Sequence, residues 1–262
     1  MHKFNNDWLF YREKIDAISR NEKIIKKINK YFKDYKILSI ADLGCGTGSN
    51  YRYMYPQIKV KQKWDMIDIS FESIKEFKKI TANKNKIINI NYKKFDLIKN
   101  IKKFKFENYD LITGSAYLDI MPKEWFYEFK KLNLNTKVIY FSINYDGYFK
   151  FYPKHKDDEY VLKLFNKDQE SDKGIGKKAV GKNCSKLINK VFTKTHKTFV
   201  LNSNWNVSKN KIFQDMFINF CENVIKKNKI SLDPWIKFRK ENIRLNKSKL
   251  LLRNRDFLAL KL

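Results

Sequence analysis

The residues with the clearest chemical promise stand in one short run, Asp42-Leu43-Gly44-Cys45-Gly46-Thr47-Gly48. Glycines at every second position let the chain turn tightly and let a ligand approach the backbone. The run follows a short apolar stretch at 37–43 and precedes a helical pattern, so it falls at the carboxyl end of a buried strand, where open α/β sheets bind ligands. A second acid, Asp68, ends the next apolar run 22 positions after Gly46. From that position a carboxylate accepts hydrogen bonds from ribose hydroxyls. Three readings compete. A nicotinamide dinucleotide loop needs G-x-G-x-x-G/A, whereas position 49 here is Ser49. A turn without a ligand is the second. The third is a cationic, phosphate-free ligand. Asp42, two residues before the first glycine, would sit poorly beside a pyrophosphate and well beside a cation.

Further candidates follow the later strands. Asp96 stands in Phe95-Asp96-Leu97, and Ser115 and Ala116 follow the fourth apolar run, with Asp119 four residues beyond Ser115. Tyr145, Asp146 and Gly147 follow the fifth run. A Tyr–Asp pair could orient or deprotonate a hydroxyl or amine, although Asn-Tyr-Asp-Gly is equally a good turn sequence. Arg12 and Arg20 could clamp a carboxylate or form surface salt bridges on a helix. The aromatic run Tyr148, Phe149, Phe151 and Tyr152 could stack a planar substrate, although alternating aromatics more often pack a core or lid. His155 and His196 have no metal-ligand spacing, so no metal is expected. Cys45 is read as packing, since a nucleophilic thiol needs a nearby base.

The elements that must position these residues alternate. A helical pattern over 7–33 carries Trp8, Ile15, Ile18, Ile25, Ile28 and Phe32 at three- and four-residue spacing. Strands are expected at 37–43, 64–69, 87–92, 109–114 and 136–143. Helices come between them, one capped by Ser70 over about 71–80 and one starting near Pro122. Alternation at this spacing implies parallel βαβ units with right-handed crossovers. Residues 145–181 break the pattern and read as an insertion around a helix at 157–169. Helices at 182–193, 210–228 and 233–251, a strand at 197–201 and a last strand in the tail RDFLALKL complete the chain, with Asp233 and Pro234 opening the last helix. No repeat or Gly/Ser- or Pro-rich linker divides it. One domain is expected, with a helical cap over 1–35, a binding half over 36–143, an insertion over 144–181 and a completion of the sheet over 182–262.

Composition sets the outer limits. The 262 residues are 43% hydrophobic and 16% aromatic, enough for a sizeable core and too apolar for disorder. No apolar run reaches membrane-spanning length and the first residues lack a secretory pattern, so a cytoplasmic location without membrane contact is expected. Three scattered cysteines suggest neither disulfides nor zinc. The net charge of +28 invites a nucleic-acid reading. Only seven of the 56 basic residues are arginine, however, and Lys, Asn, Ile, Phe and Tyr together mark AT-rich codons. Arginine is the better bidentate phosphate ligand, and the lysines are spread along the sequence, so codon bias is the favoured account.

The stretch ADLGCGTGSN resembles the first motif of class I S-adenosylmethionine (SAM)-dependent methyltransferases, and the resemblance runs over about 36–143. It implies a doubly wound, mostly parallel seven-stranded α/β sheet. Asp42 and the loop Gly44, Cys45, Gly46, Thr47 and Gly48 would hold the methionine part of SAM. Asp68, beside Ile69, would take the ribose hydroxyls. Asp96 would meet the adenine amino group with Leu97 packing nearby, and Ser115 would line the methyl side, with Arg12 as a possible carboxylate clamp. The flanks, WLFYREKIDAISRN, FNKDQESDKGIGKKAVG and NSNW, look like a little-characterised bacterial subgroup. The Asn/Asp-Pro-Pro-Tyr pattern of nucleobase and glutamine methyltransferases is missing. The expected activity is methyl transfer to a small molecule, with Tyr145, Asp146 and Asp119 as candidate catalytic groups. The alternatives are an RNA methyltransferase that uses the basic surface and a SAM-binding protein without catalysis.

Overall fold

The computed structural model describes residues 6–81, 90–174 and 176–262. The first helical pattern is two helices, α1 (Asn6–Ser19) and α2 (Glu22–Tyr31). Asn21 makes the break. Its side chain caps α2 by accepting from Lys23 N at 3.1 Å, and its own N–H donates to Asp256 Oδ2. The periodicity runs on through this joint, which is why the pattern alone reads as one helix.

The chain then alternates through β1 (Ile37–Leu43), α3 (Ser49–Met54), β2 (Lys61–Asp68), α4 (Phe71–Thr81), β3 (Ile90–Lys94), β4 (Leu111–Ser115) and α5 (Lys123–Leu132). Part of the strand expected at 87–92 lies outside the described residues. Ser70 caps α4, with Oγ accepting from Ser73 N. The strand order β3-β2-β1-β4 is parallel throughout, as the βαβ alternation requires.

β5 (Val138–Tyr152) corrects the expected insertion. Its first residues pair in parallel with β4, and it then runs on through 144–152 as a partner of β8 (Lys249–Lys261). Two register shifts, Ile143 at φ +55° and Gly147 at φ +78° bend it on the way. The polar start of the supposed insertion is therefore strand. Phe149 and Phe151 are core residues rather than a stacking platform.

After β5 come α6 (Asp158–Gln169), α7 (Cys184–Phe192), β6 (His196–Asn202), β7 (Trp205–Val207), α8 (Lys211–Lys227) and α9 (Asp233–Arg244). α9 is shorter than its pattern, because the chain turns through Asn246 at φ +58° into β8. The cap of α9 is Leu232, with Asp233 as the first helical residue. β8 lies antiparallel between β5 and β6 and also carries β7, which the sequence did not reveal. Among the described residues the sheet has eight strands: the seven expected in one path, with β7 added off it.

Three apolar clusters fill the layers. α5 and α7 cover one face of the sheet through Trp125, Phe126, Phe129, Ile188 and Phe192. α2, α3 and α4 cover the other through Ile24, Ile28, Tyr51, Met54 and Phe77. The long ends of β5 and β8 pack with α1, α6, α8 and α9 around Trp8, Phe149, Phe217 and Trp235. This third cluster seats α1 over the carboxyl edge of β1, β2 and β4.

Candidate active site

The glycine loop opens a cavity of about 350 Å³ at that edge. Its walls come from five places. Gly44 and Gly46 follow β1, Asp68, Ile69 and Ser70 follow β2, and Phe95, Asp96 and Leu97 follow β3. Ser115, Ala116 and Tyr117 follow β4, and Leu9 and Arg12 of α1 form the roof.

Each glycine has its own reason. Gly44, Gly46 and Gly48 all have positive φ, at +64°, +52° and +84°, which side chains avoid. A Cβ on Gly44 would lie 2.6 Å from the Tyr117 ring, and one on Gly48 would lie 2.4 Å from the ring of Phe77. At Gly46 the nearest atom would be Leu9 Cδ1 at 3.9 Å, so this position faces the open cavity.

Asp68 fixes the loop as well as facing it. Its two oxygens accept from Gly46 N and Ser70 N, both at 2.8 Å. Burial pushes its carboxyl up, against the pull of these backbone donors. Asp96 Oδ1 accepts from Ile98 N and Lys99 N at 3.0 and 2.9 Å. Asp96 thereby turns the chain after β3 and is held at the cavity wall. Arg12 is steadied by Asp16 at 2.9 Å and lies over the rings of Trp8 and Trp205.

Asp42 stands behind the loop, fully buried. Oδ1 accepts from Asn50 Nδ2 at 2.7 Å, while Oδ2 has no partner among the described residues. Asn50 in turn accepts from Arg20 Nη1 at 2.6 Å, and Arg20 Nη2 donates to Ser115 at 3.1 Å. Arg20 is thus a buried link between the end of α1 and the loop, not a surface ion pair. Burial pushes the Asp42 carboxyl up to about 7, against the hydrogen bond from Asn50 and the charge of Arg20. A raised carboxyl pKa favours the folded protein fully below its unfolded value near 4, and the contribution is lost as pH rises through 7.

The expected site residues therefore fall into two shells. Arg12, Gly44, Gly46, Asp68, Ile69, Asp96, Leu97 and Ser115 line the cavity. Asp42, Cys45, Thr47 and Gly48 shape it from behind. Cys45 bonds its N–H to Ile67 O, and burial pushes its thiol well up, so it packs rather than reacts. Thr47 offers its carbonyl to Arg52.

Of the candidate catalytic groups, Tyr145 and Asp146 are engaged elsewhere. Tyr145 is buried and donates to Asn166 Oδ1 at 2.9 Å, and its phenol is pushed up by burial. Asp146 accepts from Arg255 at 3.0 Å, with Arg253 at 3.8 Å. Neither lines the cavity. Asp119 is not in the lining either, but it lies in the chain between Tyr117 and Ile120, both of which are in the cavity wall. Its Oδ1 is buried without a partner among the described residues. Burial raises its carboxyl, while the charges of Arg12 and Lys173 pull it down.

Tyr117 was not legible in the sequence. Its ring closes over Gly44, and its hydroxyl is buried without a partner among the described residues. Its only signal is its place two residues after Ser115. His196 is structural as expected, bonded to Thr136 O at 2.8 Å and to Thr195. No group of three or more potential metal ligands occurs among the described residues.

The residues present fit SAM. The cavity has acids at the ends of two strands, open space over Gly46, a guanidinium in its roof and the unpartnered Asp42 Oδ2 behind the loop. These suit the hydroxyls, carboxylate and cationic groups of that molecule. A cation beside Asp42 would favour its ionised form, so SAM binding should release a proton near neutrality. The affinity is expected to rise about tenfold from pH 6 to pH 8 and then level off. Titration calorimetry in buffers of different ionisation heat measures both effects. Asp42→Asn should flatten the profile, and a flat wild-type profile would exclude this role for Asp42.

Residues 40–132 match the family described as "Methyltransferase domain". Two solved structures share the fold. A cyclopropane-fatty-acyl-phospholipid synthase-like protein from Lactobacillus casei has a TM-score of 0.56 at 10% identity, covering 95% of this chain and 91% of that one. The YcgJ protein from Bacillus subtilis has a TM-score of 0.52 at 11% identity, covering 92% of this chain and 100% of that one. The comparison with curated proteins returned no match. No helix among the described residues is long and apolar enough to cross a membrane.

Proposed function

We propose that the chain is a class I SAM-dependent methyltransferase, a reading supported by the methyltransferase-domain match over residues 40–132, and that it methylates a nitrogen of a small amine, with Asp119 beside the acceptor. The charge of the cavity carries this reading. Among the described residues its only basic lining residue is Arg12, against Asp68, Glu72 and Asp96. A wall of that sign repels a phosphate backbone and attracts an amine. The cavity is also small and roofed by Leu9 and Arg12.

Bound SAM supplies an electrophilic methyl group on a sulfonium leaving group. The protein's part is to align the acceptor and exclude water. Leu9, Ile120 and Met121 provide apolar walls. An acceptor that arrives as an ammonium must lose a proton before its lone pair can attack. Asp119 Oδ1, unpartnered and with a raised pKa, is suited to take that proton.

The test is a reaction with methyl-labelled SAM and an extract, separated into metabolites, RNA and protein. Label is expected in small amines. Label in RNA would overturn the proposal. With the identified acceptor, Asp119→Asn should lower kcat by about 10²- to 10⁴-fold and leave the Kd of SAM within about threefold. An unchanged kcat would remove Asp119 from the mechanism.

A further inference from the structure

The lysines are not spread evenly over the folded surface. At the amino edge of the sheet, opposite the cofactor cavity, a groove of about 580 Å³ is lined by Lys26, Lys30, Lys33, Lys36, Lys59 and Lys61. All six are exposed, and among the described residues no carboxylate lines the groove. Among the described residues only Lys33 has an acid within 4 Å, the exposed Asp34 at 3.8 Å. The groove beside α5 and α7 is different. There Lys123, Lys177, Lys178, Lys186 and Lys190 share the walls with Glu124 and Glu170, and Lys177 lies 3.7 Å from Glu124. Codon bias enriches lysine everywhere, but it does not by itself sort carboxylates out of one concavity.

The groove is also built. Lys26, Lys30 and Lys33 follow one another at four- and three-residue spacing, so they share one side of α2 and its C-terminal turn. Lys59 and Lys61 stand on the facing wall, before and at the start of β2. Asn29 ties the walls together, donating to Gln57 O at 2.9 Å and accepting from Lys59 N at 3.1 Å. Tyr35, half-buried, supplies an aromatic surface in the lining.

We infer that this groove binds the phosphate backbone of single-stranded RNA. A concave site lined by one sign of charge focuses its field on a polyanion. Lysine neutralises phosphates as a point charge and needs no bidentate geometry. A basic groove with an aromatic ring is the combination that holds single strands without sequence preference. The concave shape favours a strand over a flat anionic membrane. β1 separates the groove from the glycine loop by about 20 Å, at ~3.3 Å per residue. RNA held here is therefore anchored at a distance from the methyl donor, and the inference does not depend on the acceptor proposed above.

The test is fluorescence anisotropy with a labelled 20-nucleotide oligouridylate and the full chain. Two triple variants change the net charge equally, Lys30→Glu/Lys59→Glu/Lys61→Glu in this groove and Lys123→Glu/Lys186→Glu/Lys190→Glu in the other. Thermal melts confirm that both fold. The first variant should weaken binding at least about 30-fold and reduce the slope of log K against log salt by about 2, at ~0.7 per phosphate contact. The second should weaken it less than about threefold. Equal losses in both would reduce the binding to general charge and overturn the inference. So would tighter competition by tripolyphosphate than by unlabelled oligonucleotide, which would point to a free polyphosphate. Binding to vesicles rich in phosphatidylserine without binding to the oligonucleotide, or no binding to either, would overturn it as well.

Discussion

Gly48→Val is expected to abolish SAM binding and to lower the melting temperature by about 10 °C. The residue caps α3 at φ +84°. A β-branched side chain held there costs about 1–3 kcal/mol. Its Cβ would also lie 2.4 Å from Cδ2 and Cε2 of Phe77. Phe77 has no room to yield, being fully buried and packed edge-on against Tyr51 and Tyr92. Overpacking of this kind adds about 1–3 kcal/mol, and each kcal/mol shifts the melting point of a chain this size by about 2–4 °C. The loop would move and carry Gly46 N away from Asp68. Gly46→Ala is the internal control. It bears a similar backbone strain at φ +52°, yet its Cβ meets nothing nearer than Leu9 at 3.9 Å. It should cost binding with much less loss of stability. Equal melting temperatures for the two variants would show that Phe77 is not the wall described here.

Asp68→Ala is expected to weaken SAM binding by at least about 100-fold and to destabilise the free protein by about 2–5 kcal/mol. The side chain holds the N–H groups of Gly46 and Ser70. Leaving a buried donor without a partner costs about 1–3 kcal/mol. Two are released here, and the loop they order forms the cavity floor. A ligand binding there would lose both a hydrogen-bond partner and a prepared surface. Asp68→Asn keeps acceptor capacity in one oxygen and should fall between wild type and alanine in stability. Calorimetry for binding and denaturant titration for stability separate the two effects. Binding within about threefold of wild type would show that the ligand does not use this carboxylate.

Much of this site could be read before folding, because its signals are local. The apolar run at 37–43 forms β1 with those bounds, and the glycines beyond it adopt the positive φ that only their spacing forecast. Asp68 and Asp96 reach the cavity because each stands just where a strand ends. What the sequence hid is tertiary. Asn-Tyr-Asp-Gly has the composition of a turn, but β8 supplies hydrogen-bond partners about 100 residues away and draws the segment into β5. Tyr145 and Asp146 look reactive by type, yet Asn166 and the arginines of β8 claim them. Tyr117 carries no motif at all, and its place is defined only when its ring meets Gly44. The lysine groove assembles from α2 and the start of β2, so even spacing along the chain concealed a cluster in space.

The position of β8 also bears on how the molecule reaches its native state. It is hydrogen-bonded to β5 on one side and to β6 and β7 on the other, yet it follows all of them in the chain. β6 cannot join the sheet until β8 has docked. Contacts this distant in sequence pay their loop-closure entropy before they return any stabilisation, which slows folding. β1 to β5 can meanwhile assemble through neighbouring βαβ units and leave the long edge of β5 bare. An unpaired, largely apolar edge along a fifteen-residue strand is a template for intermolecular pairing. The docking of one late strand therefore sets both the refolding rate and the interval in which the chain is prone to aggregate.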